Sequence, residues 1–301
     1  MKKKFILVAK ILISAIVVYF VVSKIDFQDL RSNVVMTNWW YLLLAVLIGF
    51  INNILCSLRW WVINNKIFEL KIPLWKTVKL YFIGNYFNLF LPTSIGGDTV
   101  KGYMAYRHQA NNNKAVHAVI IDRFTGLGML MLFFLFCYPI FKVLHTPMPT
   151  LVAPAYLVIF GLIASLALSL LIFHRVAKRV IFIKNFLESA SIFIKSKEFW
   201  RVSAIGLFFQ FLVIINSYVI SRSVGIDLGF SYFLLFVPIA TLITMLPISL
   251  AGIGLREYGF LYFLTFYGIS ANLGVLVPLY GFLLLVILGI IGGVIYLLDN
   301  N

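Results

Sequence analysis

Six apolar runs constrain this sequence more than any other feature, because each is close to the roughly 20 residues that an α-helix needs to cross a bilayer. They lie at about residues 5–23, 40–58, 116–140, 151–173, 202–221 and 272–298. The chain is 62% hydrophobic and has only 10 acidic residues in 301, a balance that no single soluble core of this length accommodates. We therefore predict an all-α polytopic integral membrane protein with about six full spans.

The first run, which follows Met1 and three lysines, imitates a signal peptide. Lys10 interrupts it, however, and no small-x-small cleavage site follows Val22. We predict a retained first helix whose lysines lie in the cytoplasm.

The formal net charge of +15 would suggest a nucleic-acid partner in a soluble chain. Here the basic residues cluster in short loops between apolar runs, where they determine topology and contact anionic lipid head groups. Cys56 and Cys137 lie in apolar stretches without metal-ligand spacing. We expect no nucleic-acid partner, no disulfide framework, no metal site and no cofactor.

Two further apolar regions, 77–110 and 230–270, are broken in the middle. Pro92 with Gly96 and Gly97 interrupts the first, and Pro247 with Gly252 and Gly254 interrupts the second. Each region is therefore either two spans or one re-entrant helical hairpin.

The distribution of basic residues favours the hairpins. With two hairpins, segments 59–79, 101–114 and 174–201 share the side of the N-terminal lysines and hold most of the basic residues. A single crossing by the first region would turn the basic segment 174–201 outward, against the positive-inside tendency. We predict two broken or re-entrant hairpins, with both termini in the cytoplasm of a multi-pass protein of the cytoplasmic (inner) membrane.

An inverted repeat follows from this topology, because the first hairpin enters from the cytoplasm and the second from outside. We predict one transmembrane domain over 1–301. Its repeat units lie at about 40–140 and 202–298, and a basic cytoplasmic connector lies at about 174–201. Residues 175–201 alternate apolar and basic side chains at near-helical spacing, which predicts a helix on the inner membrane surface or else a solvated loop. Inverted repeats with broken helices are typical of transporters.

The two breaks carry the same motif, since LPTSIGGDTVKGY at 91–103 aligns without a gap with LPISLAGIGLREY at 246–258. Lys101 falls opposite Arg256 in this alignment. The first N–H groups of each following half-helix are unpaired within the helix, so two such ends near the midplane would hold a phosphate or another acidic head group. Alternatively, both motifs are packing kinks and Lys101 extends to the cytoplasmic interface.

Charged residues inside the spans need partners. Asp122 and Arg123 lie about 10 Å into a run and do not share a helix face. We expect either a salt bridge from Asp122 to a hairpin residue or a direct functional role. Glu257 is either a proton-coupling acid or the counter-ion of Arg123, whereas Arg59, beside two tryptophans, is predicted to be an interface anchor.

Three ordered motifs, GGDTVKGYMAYR at 96–107, DRFTGLGML at 122–130 and LPISLAGIGLREYGF at 246–260, carry a family resemblance. The sequence resembles the flippase-like transmembrane domain family found at the N-terminal end of lysylphosphatidylglycerol synthases. That resemblance implies movement of aminoacylated phosphatidylglycerol, other anionic lipids or lipid-linked sugars between leaflets. It implies functional roles for Gly96, Gly97, Asp98, Arg107, Asp122, Arg123, Pro247, Gly252, Gly254, Arg256 and Glu257.

The chain ends at Asn301 without a soluble domain that would bind an aminoacyl-tRNA. We therefore expect a stand-alone member that is not a synthase by itself, so that a lysyl-lipid substrate is not implied.

The sequence favours a lipid flippase without catalytic residues. We predict a substrate site formed by the residues of the resemblance other than Pro247, together with Lys101, and an anionic membrane lipid as the partner. One alternative is an integral-membrane lipid or glycolipid transferase, and another is a non-transporting partner in envelope assembly. A homo-oligomer and an association with a separate lipid-modifying enzyme both stay open.

Overall fold

The structure is a computed structural model that describes residues 18–24, 26–91, 96–108, 113–144, 148–150, 152–154, 156–157, 181–245 and 252–299. Every regular element in these ranges is helical. The helices are α1 (Phe27–Val35), α2 (Trp39–Val62), a π-helical turn (Ile63–Ile67), α3 (Leu74–Phe90), α4 (Gly96–His108), α5 (Lys114–Leu144), α6 (Ile181–Lys195), α7 (Glu198–Ser223), α8 (Phe230–Met245), α9 (Leu255–Phe266) and α10 (Ala271–Asp299). The all-α prediction therefore agrees with the described part of the chain.

Within the described ranges, four helices are long and apolar enough to cross a membrane. They cover Trp39–Ile67, Lys114–Val143, Glu198–Ser223 and Ala271–Leu298. Each contains one of the predicted spans, namely 40–58, 116–140, 202–221 and 272–298. Most of the other two predicted spans, 5–23 and 151–173, lies outside the described residues.

The chain divides into two compact units that each draw on separate segments. The first unit comprises Met1–Asn53, Tyr81–Lys101 and Phe211–Asn301, and the second comprises Ile54–Leu80 and Gly102–Gln210. These units are not the repeats predicted from the sequence, whose boundaries at 40–140 and 202–298 stay a prediction.

The part of the first broken region that belongs to the first unit, residues 81–90 of α3 and 96–101 of α4, is a helical hairpin. The amine of Lys101 on α4 lies 3.9 Å from the ring centroid of Tyr81 on α3, and Gly97 lies against Gly84 and Asn88 one and two turns further along α3. Contacts therefore run in opposite directions along the two helices, so that α3 and α4 pack antiparallel. A Cβ atom at Gly97 would collide with the carbonyl oxygen of Gly84, and only glycine permits this close approach.

The second broken region is also an antiparallel hairpin within the first unit. Three pairs join its helices: Phe236 with Phe263, Ala240 with Gly259, and Thr244 with Gly252. The rings of Phe236 and Phe263 stack with centroids 5.6 Å apart, and both side chains are fully buried. The end of α8 therefore lies beside Gly252, just before α9 begins.

Helix α10 contacts both hairpins. Helix α3 packs antiparallel to its second half, where Gly292 faces Phe82 and Gly289 faces Leu89. Helix α9 packs antiparallel to its first half, where Gly274 faces Leu264 and the Phe282 ring lies under Arg256. The end of α3 and the start of α9 thus meet α10 on either side of its middle, at positions seven residues or about 10 Å apart along the helix.

Helix α6 accounts for part of the predicted basic connector. Its Ser189 hydroxyl lies 3.1 Å from Nδ1 of His117 on α5, and Phe193 is buried. The helical part of the connector prediction is therefore correct for Ile181–Lys195, whereas its position on a membrane surface stays a prediction.

Candidate functional site

The start of α4 is closed by groups of the protein itself. Gly96 and Gly97 are buried, and the Gly97 N–H donates a 2.7 Å hydrogen bond to Oδ1 of Asn88. A side chain at either glycine would overlap α3 or the residue that follows it, because Cβ atoms there would meet Asn88 at 2.7 Å and Leu91 at 2.5 Å. Both glycines therefore serve the close helix crossing, and one predicted anion-binding N–H already has an acceptor.

Lys101 forms an internal ion pair one turn further along α4. Its Nζ lies 2.9 Å from Oδ1 of Asp98, and its side chain is only 3% exposed. The Tyr81 ring covers the same amine. Lys101 is therefore buried and does not extend toward solvent. Its negative partner, Asp98, lies in the first turn of α4, where a carboxylate also interacts favourably with the helix dipole.

Two left-handed glycines shape the start of α9. Gly252 and Gly254 have φ values of +83° and +84°, a backbone conformation that residues with a Cβ atom rarely adopt. The Gly254 N–H then donates a 2.8 Å hydrogen bond to Oε2 of Glu257 three residues later. Glu257 thus caps its own helix in the manner of a capping box.

Arg256 and Glu257 form the second acid–base pair of the hairpins. Nε and Nη2 of Arg256 donate to Oε1 of Glu257 over 3.1 and 2.8 Å, and the guanidinium carbon lies 5.4 Å from the Phe282 ring centroid. The two side chains are 22% and 20% exposed. The predicted acid therefore has Arg256 as a counter-ion, and this cation is much more accessible than Lys101.

A separate buried ion pair lies in the second unit. Nε of Arg59 on α2 donates a 2.7 Å hydrogen bond to Oδ1 of Asp122 on α5, and the two side chains are 5% and 3% exposed. Asp122 thus forms a salt bridge, as predicted, and the partner in this pair lies on α2 rather than in a hairpin. Arg59 was predicted to be an interface anchor, and that prediction is wrong because the guanidinium is buried.

Two glycines make room for the Arg59 guanidinium. A Cβ atom at Gly126 on α5 would lie 3.2 Å from its Nη2, and one at Gly206 on α7 would lie 3.7 Å from its Nη1. The Phe209 ring centroid is 5.9 Å from its central carbon. Arg59 therefore lies where three helices of the second unit meet.

The other predicted site residues, Arg107 and Arg123, belong to the second unit as well. Arg107 is exposed near the end of α4, and Arg123 is half-buried beside Asp122. The structure therefore places Gly96, Gly97, Asp98, Lys101, Gly252, Gly254, Arg256 and Glu257 in one unit and Arg107, Asp122 and Arg123 in the other. Their role in binding a substrate stays a prediction.

Sequence reasoning missed four residues that complete these pairs: Arg59, Tyr81, Asn88 and Phe282. A signal existed for Arg59 alone, because Asp122 needs a basic partner and Arg59 is a basic residue at the end of a predicted span. Tyr81, Asn88 and Phe282 lie in apolar stretches without a motif around them, and their contacts depend on how the hairpins fold.

Within the ranges that the structure describes, no group of three or more His, Cys, Asp or Glu side chains is arranged to hold a metal ion. The acids singled out in the sequence instead lie beside basic side chains: Asp98 with Lys101, Asp122 with Arg59, and Glu257 with Arg256.

A family model described as the lysylphosphatidylglycerol synthase TM region matches residues 7–293. No curated protein and no solved structure matches the chain.

Proposed function

Since this chain belongs to the lysylphosphatidylglycerol synthase transmembrane-region family, we propose that it moves an anionic phospholipid or lipid-linked head group across the cytoplasmic membrane. Its four long apolar helices make it a multi-pass membrane protein, and the family ties it to membrane lipids.

The observation that carries the proposal is that the breaks of both hairpins lie beside the middle of α10, where the end of α3 and the start of α9 contact this helix. Helices α4 and α9 have 13 and 12 residues, or about 20 and 18 Å, which is well short of the roughly 30 Å hydrocarbon core. Each follows a break in a hairpin, and the two hairpins approach α10 from its opposite ends. This arrangement supports re-entrant hairpins in two inverted repeat units.

The direction of α2 supports the same topology. The Thr37 hydroxyl is 2.9 Å from the Tyr280 hydroxyl, and Gly49 faces Leu288, so the contacts advance together along α2 and α10. The two helices therefore run parallel, as they must if 40–58 and 272–298 both cross inward. Exposed tryptophans next to basic residues, such as Trp75 with Lys79 and Trp200 with Arg201, fit the cytoplasmic interface at the start of α3 and α7.

Irregular backbone at membrane depth is tolerated only where protein or a water-filled cavity surrounds it. We propose that a cavity beside the middle of α10 admits the head group while the acyl tails stay in the bilayer. The helix dipole of α9 and the guanidinium of Arg256 favour negative charge there. Motion of one repeat unit against the other would open this site to each leaflet in turn.

We also propose that the protein has no catalytic step of its own. A lipid transferase requires paired acids or an acid with a metal ion near the reacting atoms. Each acid at the hairpins and at Asp122 lies instead beside a basic side chain, which favours structural and binding roles.

Translocation is measured with the purified protein in vesicles that carry a fluorescent phosphatidylglycerol, whose outer-leaflet fraction is reduced by dithionite. With wild type, we expect dithionite to reduce more than the outer-leaflet half of the fluorescent lipid, because lipid from the inner leaflet reaches the outer one. We expect Arg256→Gln to slow this movement by about tenfold or more, since a charge-assisted hydrogen bond contributes about 1.5–3 kcal/mol. Arg201→Gln is the matched control, because Arg201 is 62% exposed and pairs with Glu198 outside the hairpins. Equal rates in wild type and Arg256→Gln would remove Arg256 from the mechanism, and no protein-dependent reduction in wild type would refute translocation.

A further inference from the structure

The two hairpins differ in how their cations are held. The Lys101 side chain is 3% exposed and is enclosed by Asp98 and Tyr81, so a ligand reaches it only after helices α3 and α4 separate. The Arg256 side chain is 22% exposed and is covered on one face by Phe282. Of the two cations that the sequence aligns, Arg256 is therefore the one that a ligand meets without unpacking a hairpin.

Glu257 already makes the contacts that an acidic head group would make with Arg256. One carboxylate oxygen accepts from both Nε and Nη2 of the guanidinium. The other oxygen accepts from the Gly254 N–H. An oxyanion with two acceptor atoms matches both sets of donors, and phosphodiesters have this geometry as well as carboxylates.

We propose that Glu257 is an internal competitor, whose carboxylate holds Arg256 until the phosphodiester of an anionic lipid displaces it. This inference rests on the proposed function and adds to it a carboxylate that the substrate must displace. Release of Glu257 is tolerated because its side chain is 20% exposed. Phe282 keeps the guanidinium in place during the exchange through a cation–π contact.

The exchange discriminates by charge. A phosphodiester without a neighbouring cation replaces the negative charge that Arg256 loses when Glu257 moves away. A zwitterionic phosphatidylcholine carries its own ammonium group close to the phosphate. Its phosphate is therefore a weaker counter-ion for Arg256 than the carboxylate that it would displace. Wild type should therefore prefer phosphatidylglycerol, and the presence of Glu257 should lower the affinity for both lipids.

The test is a binding titration of the full chain in detergent with phosphatidylglycerol, phosphatidylcholine and glycerol 3-phosphate, read by native mass spectrometry. Glu257→Gln removes the competing charge but keeps a side-chain acceptor for the Gly254 N–H, because glutamine also serves at this capping position. We expect it to raise phosphatidylglycerol retention by about three- to tenfold, the range that a partly exposed ion pair of about 0.6–1.4 kcal/mol gives. Glu198→Gln, in the exposed pair with Arg201, is the matched control and should change nothing.

The outcomes separate the two proposals. One pattern would overturn the competitor role and leave the anionic-lipid site intact. In that pattern wild type retains phosphatidylglycerol, Arg256→Gln loses it, and Glu257→Gln retains no more of it than wild type does. Failure of wild type to retain phosphatidylglycerol above phosphatidylcholine would overturn the site itself. Displacement of phosphatidylglycerol by an equal concentration of glycerol 3-phosphate would overturn the assignment to a lipid, because the phosphate group alone would then be the ligand. If Glu257→Gln does not fold, Glu257→Asp shortens the reach to Arg256, and unchanged retention in that variant also overturns the competitor role.

Discussion

Asp122→Asn is expected to lower the free energy of unfolding by about 3–5 kcal/mol, the usual cost of removing one partner of a buried ion pair. In this variant the Arg59 guanidinium, only 5% exposed, would keep its charge without the 2.7 Å contact to Asp122. Gly126 and Gly206 leave space for the guanidinium itself but supply no replacement carboxylate. The loss is measured by unfolding the purified protein with SDS in mixed micelles, followed by tryptophan fluorescence.

A double-mutant cycle separates the ion pair from packing. Arg59→Gln should be destabilising to a similar degree, and the double variant Arg59→Gln/Asp122→Asn should lose less than the sum of the two single losses. Asp227→Asn is the matched control, since Asp227 pairs with Arg222 but is 92% exposed, and this substitution should change little. A fully additive double variant would contradict the pairing.

Gly292→Ala is expected to destabilise the protein by about 1–3 kcal/mol, the usual cost of overpacking a well-packed contact. A Cβ atom at this position would collide with the carbonyl oxygen of Phe82, and a backbone atom of α3 has no rotamer with which to move aside. The variant therefore pushes α3 away from α10. This contact fixes the position of the first hairpin along α10.

Gly281→Ala in the same helix is the control for Gly292→Ala, because nothing lies within 4 Å of a Cβ atom there. It should leave stability unchanged or raise it by up to about 1 kcal/mol, the helix-propensity difference between the two residues. Thermal unfolding of the two variants in one detergent compares them directly. Equal stability of Gly292→Ala and Gly281→Ala would mean that α3 does not pack closely on α10.

Hydrophobicity and residue spacing were sufficient to predict four spans and both breaks. Long apolar runs leave a helix as the only way to satisfy the backbone in lipid, so 40–58, 116–140, 202–221 and 272–298 each lie inside a helix. Proline alone was a poor guide to the breaks. Pro238 and Pro278 lie inside α8 and α10, where neighbouring helices and local adjustments satisfy the freed backbone groups. The breaks coincide with proline followed by paired glycines.

The candidate site was only partly predictable. Alignment of the two motifs found Lys101 and Arg256, since both are cations at one register position after a break. It did not find that one is buried and the other accessible, because Tyr81 and Phe282 are brought to them by the folding of separate helices. The partner of Asp122 was missed for a related reason, as Arg59 lies 63 residues away in the chain and its adjacent tryptophans are typical of an interface.

The proposed site forms only if two hairpins reach the middle of α10 from opposite membrane faces, and side-specific cysteine labelling tests this topology most directly. In a background without Cys56 and Cys137, single cysteines replace the exposed residues Trp75, Asn113, Asp227 and Ser270, which flank the hairpins. A membrane-impermeant maleimide is then applied to intact cells and to inverted vesicles. We predict that positions 75 and 113 react from the cytoplasmic face and that positions 227 and 270 react from the outer face. Labelling of 113 from the same face as 227, or of 227 and 270 from different faces, would contradict the inverted hairpins and the site built on them.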